Sequence, residues 1–168
     1  TLAAKGIAAM KLGRIDYETT ANIGRFEGGQ ATNIVCDTVH ILSEARSIDK
    51  EKLDAQVEHM VNTFAEKAEQ FGGTATTETK LMYPGFRFEE NHQVVQVAKR
   101  AVENIGRKAD IKTSGGGSDA NVIAGFGVPT VILSVGYEEI HTTNERMPVE
   151  ELEKLADLLV EIVKVAAE

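Results

Sequence analysis

The stretch "VPTVILSV" at residues 128–135 is a nearly unbroken apolar run, rich in β-branched residues and closed by Gly136. A strand with one face in water alternates polar and apolar residues. An unbroken run instead belongs to a strand covered on both faces, as in parallel sheets flanked by helices. At eight residues it is far too short for a membrane span, which needs about 20. Helical periodicity precedes it over 91–105, where Val94, Val95, Ala98, Ala101, Val102 and Ile105 share one face. A short β-prone piece lies at 109–112, and a glycine run and a helix come between it and the apolar run. The last helix, predicted over 148–167, opens with Pro148 and acidic residues, as helix N-termini favour. The rhythm α, β, α, β, α over 89–168 predicts one end of a larger α/β sheet.

Residues 1–88 follow another pattern. A helix is predicted over 2–12, ended by Gly13, and a strand over 19–29 with Gly28-Gly29 as its turn. Residues 31–47 read as two strands around a turn at Cys36-Asp37, the second alternating at Val39 and Ile41. The period then changes. Leu53, Val57, Met60, Val61, Phe64 and Ala68 mark an amphipathic helix over 49–71, with Ser47 and Asp49 as candidate caps and Gly72-Gly73 as its stop. The Thr-rich piece 74–83 is β-prone. Together these predict a small α+β layer with an antiparallel sheet, joined to the second unit by a connector at 83–92. The chain opens in helical periodicity with neither Met nor a signal-peptide pattern, and is read as a fragment whose upstream half is missing.

The composition, 42% hydrophobic and 26% charged over 168 residues, is that of a folded soluble protein. Its net charge of -8 repels phosphate and argues against a nucleic-acid partner. Cys36, the single cysteine, has no internal partner for a disulfide, which fits a reducing compartment. A cytoplasmic protein without a membrane partner is expected.

Few residues are candidates for chemistry. In "SVGYEEIHTTNERMP" (134–148), His141 lies in a polar loop flanked by Glu138, Glu139 and Glu145. It is a candidate metal ligand or general base, and a solvated side chain is the competing reading. The run "KTSGGGSDANVIAGFG" (112–127) places consecutive glycines before a helix, where backbone amides favour an anion. It lacks the Lys-Ser/Thr ending of a phosphate loop, and a plain turn capped by Ser118 or Asp119 fits equally well. Ser114 and Ser118 are outside the G-x-S-x-G context that exposes a nucleophile. His40, His59 and His92 are read as structural. No HxH, HExxH or HxD motif is present, so the chain does not by itself supply a three- or four-ligand metal site. Asn33 and Arg46 are expected to lie near one another across a hairpin. There an amide could bond a carbonyl or oxyanion and a guanidinium could clamp a carboxylate, with a solvated hairpin edge as the competing reading.

Three ordered stretches, "GRIDYETTANIGRFEGGQATNIVCDTVHILSEARS", "SGGGSDANV" and "GVPTVILSVGYEEIHTTNERMPVEEL", resemble the dizinc exopeptidases of the peptidase T family, whose relatives include carboxypeptidase G and the succinyl-diaminopimelate desuccinylases. The tripeptidase branch is the nearest in look. The resemblance implies that 1–88 is most of a lid or dimerisation domain and 89–168 the end of a zinc-binding catalytic domain. It implies that His141 is a metal ligand in a site holding two zinc ions, with cobalt or manganese as substitutes. It makes Asn33, Arg46, Gly115, Gly116, Gly117, Ser118 and Asn121 contacts for a short peptide, and the complete enzyme a homodimer through its lid. Cys36 stands where many relatives carry proline, Gly117 where threonine is frequent, and Ser114 where peptidase T carries an arginine. The family's H-x-D ligands, bridging aspartate, Glu-Glu pair with the general base and a lid histidine would all precede Thr1. The chain alone is therefore expected to be inactive. Two other classes compete: a non-catalytic dimerisation or ligand-binding module, and an anion- or nucleotide-binding α/β domain using the glycine run.

Overall fold

A computed structural model describes all of residues 1–168. The elements run α1 (Leu2–Ala9), β1 (Gly13–Arg14), β2 (Thr20–Gly28), β3 (Val39–Arg46), α2 (Lys50–Gln70), α3 (Gln93–Asn104), α4 (Asp119–Gly125) and α5 (Val149–Ala166). They divide into two compact units, Thr1–Gly85 and Phe86–Glu168.

In the first unit the strands form an antiparallel sheet in the order β1-β2-β3. Thr20 opposes Arg46 at one end and Gly28 opposes Val39 at the other, with an irregularity between Ile23 and Arg25. The core is small and aliphatic: Met10, Ala21 and Met60 are buried, with Leu12, Ile15, Ile23, Ala45 and Phe64 packed around them. Gly6 lets α1 approach α2 closely, since a Cβ there would come within 2.8 Å of the Phe64 ring. Buried polar groups find partners within the unit. The Gln56 amide donates to the Lys11 carbonyl at 2.9 Å, and the Thr63 hydroxyl to the His59 carbonyl at 2.6 Å. Asp49 caps α2, accepting from the amides of Glu51 and Lys52 at 2.8 and 3.1 Å. Ser47 instead receives the Asp49 amide and bonds the buried Thr19 hydroxyl at 3.0 Å.

The antiparallel sheet and the helices are as predicted, but four strand assignments are not. Residues 31–34 turn rather than extend, with the Ile34 amide on the Ala31 carbonyl at 3.2 Å. They belong to the connection between β2 and β3. The stretches 74–83, 109–112 and 128–135 join no ladder. β-Propensity measures fit to a pleated, paired surface, and in this chain these stretches meet no neighbouring strand.

In the second unit α3 packs on α5 through Ala101, Leu158 and Val165, with Val97, Val102, Ile105, Leu133 and Ile162 alongside. The ends are tied by Arg107, whose guanidinium meets the Glu151 carboxylate at 2.7 Å, and by Asn104 on Glu161 at 2.8 Å. The run 128–135, expected to be covered on both faces, is covered on one. Leu133 enters the core, whereas Ile132 is 57% exposed. α5 likewise buries one stripe and leaves Leu152, Leu159, Val160 and Val163 in solvent. No second layer in this chain covers either surface.

Candidate metal-ligand loop and substrate-contact residues

The segment following residue 135 forms a small closed loop. Glu138 and Arg146 pair as an isolated antiparallel bridge, exchanging backbone hydrogen bonds of 2.9 and 3.2 Å. Their side chains repeat the connection: the Arg146 guanidinium lies 2.5 Å from the Glu138 carboxylate. Inside this neck the Thr142 amide and hydroxyl both donate to the Glu139 carbonyl, at 3.2 and 2.7 Å. The Glu145 amide donates to the Thr142 carbonyl at 3.2 Å.

His141 sits at the tip with φ +65°, and Glu139 has φ +52°. A left-handed backbone is unfavourable for a residue with a Cβ. Here the His141 amide donates to the Glu145 carboxylate at 2.7 Å, a short charge-assisted bond. The residue is exposed, and its imidazole has no hydrogen bond or ion pair within the chain. Both ring nitrogens are thus available to a ligand from outside.

No group of three or more His, Cys, Asp or Glu side chains gathers anywhere in the chain in a way that could hold a metal ion. An unengaged, exposed imidazole fits one position of a metal's coordination shell. The donor set does not complete a site, since a catalytic zinc takes about three protein ligands and a water. The other histidines are used otherwise. His59 Nε2 accepts from the Lys11 amide at 3.1 Å, and His92 Nδ1 accepts from the Val94 amide at 3.3 Å as the cap of α3. His40 lies in β3 opposite Glu27.

The glycine run is exposed from residue 112 to 118 and belongs to no helix or strand. Nothing lies near a Cβ built at Gly115, and the Gly116 amide donates to the Ser114 hydroxyl at 3.2 Å. Ser118 caps α4 within a capping box: its hydroxyl accepts from the Ala120 amide at 3.2 Å, while Asn121 Oδ1 accepts from the Ser118 amide at 2.9 Å. Asn121 is buried, its Oδ1 committed to that box. These two residues shape the turn after the glycines. Gly115, Gly116 and Gly117 leave it open to solvent.

Asn33 and Arg46 are not neighbours. Asn33 belongs to the connection beyond the Gly28–Val39 pair, and Arg46 closes the opposite end of β3 against Thr20. The length of β3, seven steps of about 3.3 Å, separates Arg46 from the Val39 end at which that connection joins the strand. The expectation rested on a strand through 31–35, and the turn there removes it. Arg46 instead bonds the Glu44 carboxylate at 3.0 Å, and this hydrogen bond holds its pKa above the usual arginine value.

Two features of the second unit carry little or no signal in the sequence. The strap from Glu145 to the His141 amide had a faint signal, an acid four residues beyond the histidine. The packing of Glu151 over Gly136 had none, because the two meet only through the fold.

The chain is similar to known proteins along nearly its whole length. Residues 4–165 match peptidase family M20/M25/M40. Aminopeptidase PepT from Bacillus cereus ATCC 10987 is 62% identical, with a TM-score of 0.90 over 99% of this chain. A tripeptidase from Staphylococcus aureus subsp. aureus Mu50 is 50% identical, with a TM-score of 0.93 over 99% of the chain. Bacillus subtilis YXEP, a dinuclear metal binding peptidase from the M20 family, is 19% identical and shares the fold, with a TM-score of 0.77 over 99% of the chain. The chain spans 45% of each of these three proteins. It spans the same 45% of a curated relative, YqjE of Bacillus subtilis strain 168, at 60% identity over 99% of this chain. The matched segment covers both compact units, and on that basis the chain belongs to peptidase family M20/M25/M40.

Proposed function

We propose that this chain is part of a metal-dependent exopeptidase of the aminopeptidase type that cleaves di- and tripeptides. The observation that carries the reading is the presentation of His141: a tied, left-handed backbone beneath an imidazole with no partner in the chain. The names of the similar proteins, an aminopeptidase, a tripeptidase and a dinuclear metal binding peptidase, support it. The complete site would hold two zinc ions, with cobalt or manganese as substitutes, and His141 would be one ligand. A bound metal of this kind supplies a polarised water that ionises near neutrality.

The remaining roles fall to this chain's exposed polar groups. The open turn at Gly115, Gly116 and Gly117, shaped by Ser118 and Asn121, would receive the anionic end of a peptide through backbone amides. Arg46 would meet a carboxylate after exchanging it for Glu44, and Asn33 would bond a carbonyl. Because these two stand at opposite ends of β3, they are proposed as separate contacts rather than one clamp. The first unit would act as a lid and join two copies, and the enzyme would work in the cytoplasm. No helix is long and apolar enough to cross a membrane.

This chain on its own would be inactive, since one imidazole is the only ligand it presents. The experiment is to purify residues 1–168, supply zinc, cobalt or manganese, and follow amine release from several di- and tripeptides. No metal-dependent turnover is expected. Turnover that co-purifies with the chain would overturn the division of the site proposed here.

A further inference from the structure

We propose that Glu145 is the positioning residue for His141, fixing its left-handed backbone so that the imidazole stands free before any metal arrives. This deepens the ligand reading of His141 and rests on it only for the last measurement below. Each of the three acids around the histidine has its own place. Glu138 is held by Arg146 at the neck, and the Glu139 carbonyl receives Thr142. Glu145 alone reaches the tip, where it accepts the His141 amide at 2.7 Å. The tip holds two positive-φ residues that are not glycine, Glu139 and His141, and this backbone needs a compensating interaction. A carboxylate on a backbone amide is the strong kind of hydrogen bond. Glu145 is itself anchored by its amide on the Thr142 carbonyl, with the Asn144 amide on the Thr142 hydroxyl at 3.2 Å. Every strap lies within 138–146 and none uses the imidazole. The loop is therefore complete without a ligand, and the ring pays no intramolecular hydrogen bond to leave it.

The test is nuclear magnetic resonance on the 168-residue chain, comparing wild type, Glu145→Ala and Glu145→Gln. Positive φ brings the amide and α protons of one residue together, so wild-type His141 should give a strong intraresidue cross-peak and a downfield amide. Glu145→Ala should lose both while the helical circular dichroism stays unchanged, because the loop is exposed. Glu145→Gln keeps an acceptor oxygen and should retain the cross-peak. A strong cross-peak and downfield amide in Glu145→Ala, or their absence from wild type, overturns the proposal. Zinc chloride is then titrated while the His141 ring signals are followed. The ring should shift in wild type and Glu145→Gln, and require several-fold more zinc in Glu145→Ala. If the wild-type and Glu145→Ala rings respond at the same zinc concentration while the cross-peak pattern holds, the strap does not serve metal binding and only the backbone-positioning role stands.

Discussion

Gly136 lies directly beneath Glu151: a Cβ built on the glycine would come within 2.8 Å of the Glu151 Cβ. The glycine also has φ +82°, and Glu151 is held from its other side by Arg107. The start of α5 thus presses on the backbone between the apolar run and the His141 loop. Gly136→Ala meets both a strained φ and a filled space, and should destabilise the second unit by about 1–3 kcal/mol. Urea unfolding checks this. An alanine variant as stable as the wild type would mean that the contact yields freely.

Acid should weaken both units through particular carboxylates. The Glu151 carboxyl is held below its ordinary value mainly by the Arg107 hydrogen bond, and Asp16 below its own mainly by the Glu18 amide. For a carboxyl whose folded pKa is depressed, the stabilisation is fully present above the unfolded pKa, about 4. It is lost as pH falls through the lower folded values. Urea midpoints should therefore decline below about pH 4, and less steeply in Glu151→Gln. Equal slopes in the two proteins would remove Glu151 from the account.

The capping box gives a third expectation. Ser118→Ala removes the acceptor for the Ala120 amide and should cost about 1 kcal/mol. Faster amide exchange confined to α4, with α3 and α5 unchanged, is the expected pattern. Unaltered protection in α4 would show that packing, not the cap, holds that helix.

Much of this architecture is legible in sequence because it is local. The helical periodicity of α2 and α3, the glycine stops and the Ser118 cap all depend on residues within a few positions of one another. So does the flanking of His141 by acids. What depends on distant neighbours was not legible. The run 128–135 reads as a doubly covered strand from its composition, yet in this chain Ile132 faces solvent and no ladder forms. The separation of Asn33 from Arg46 depended on whether 31–35 extends or turns, and no periodicity distinguishes the two over so short a piece. Gly136 under Glu151 depends on tertiary packing alone.

Association should run through the sheet of the first unit. β3 is an edge strand, with Leu42 62% exposed, and unpaired edges invite pairing. Sedimentation of the 168-residue chain at tens of micromolar, on the order suited to a modest interface, should show a dimer. Leu42→Lys should shift it toward monomer, and Ile132→Asp should not. A chain that is monomeric throughout, or one whose association depends on Ile132 and not on Leu42, would contradict this assignment.

His141 is proposed as this segment's metal ligand in a peptidase site completed by residues outside it. The most direct measurement grafts residues 1–168 in place of the matching 45% of the Bacillus cereus aminopeptidase, which is 62% identical over the segment. Bound metal per chain and peptide hydrolysis are then measured for the graft and for its His141→Ala form. The account predicts that the graft binds metal and releases amine from short peptides. The alanine form should lose metal and fall in turnover by several orders of magnitude, with its helical content unchanged. An alanine graft that keeps both its metal and its turnover would contradict the claim.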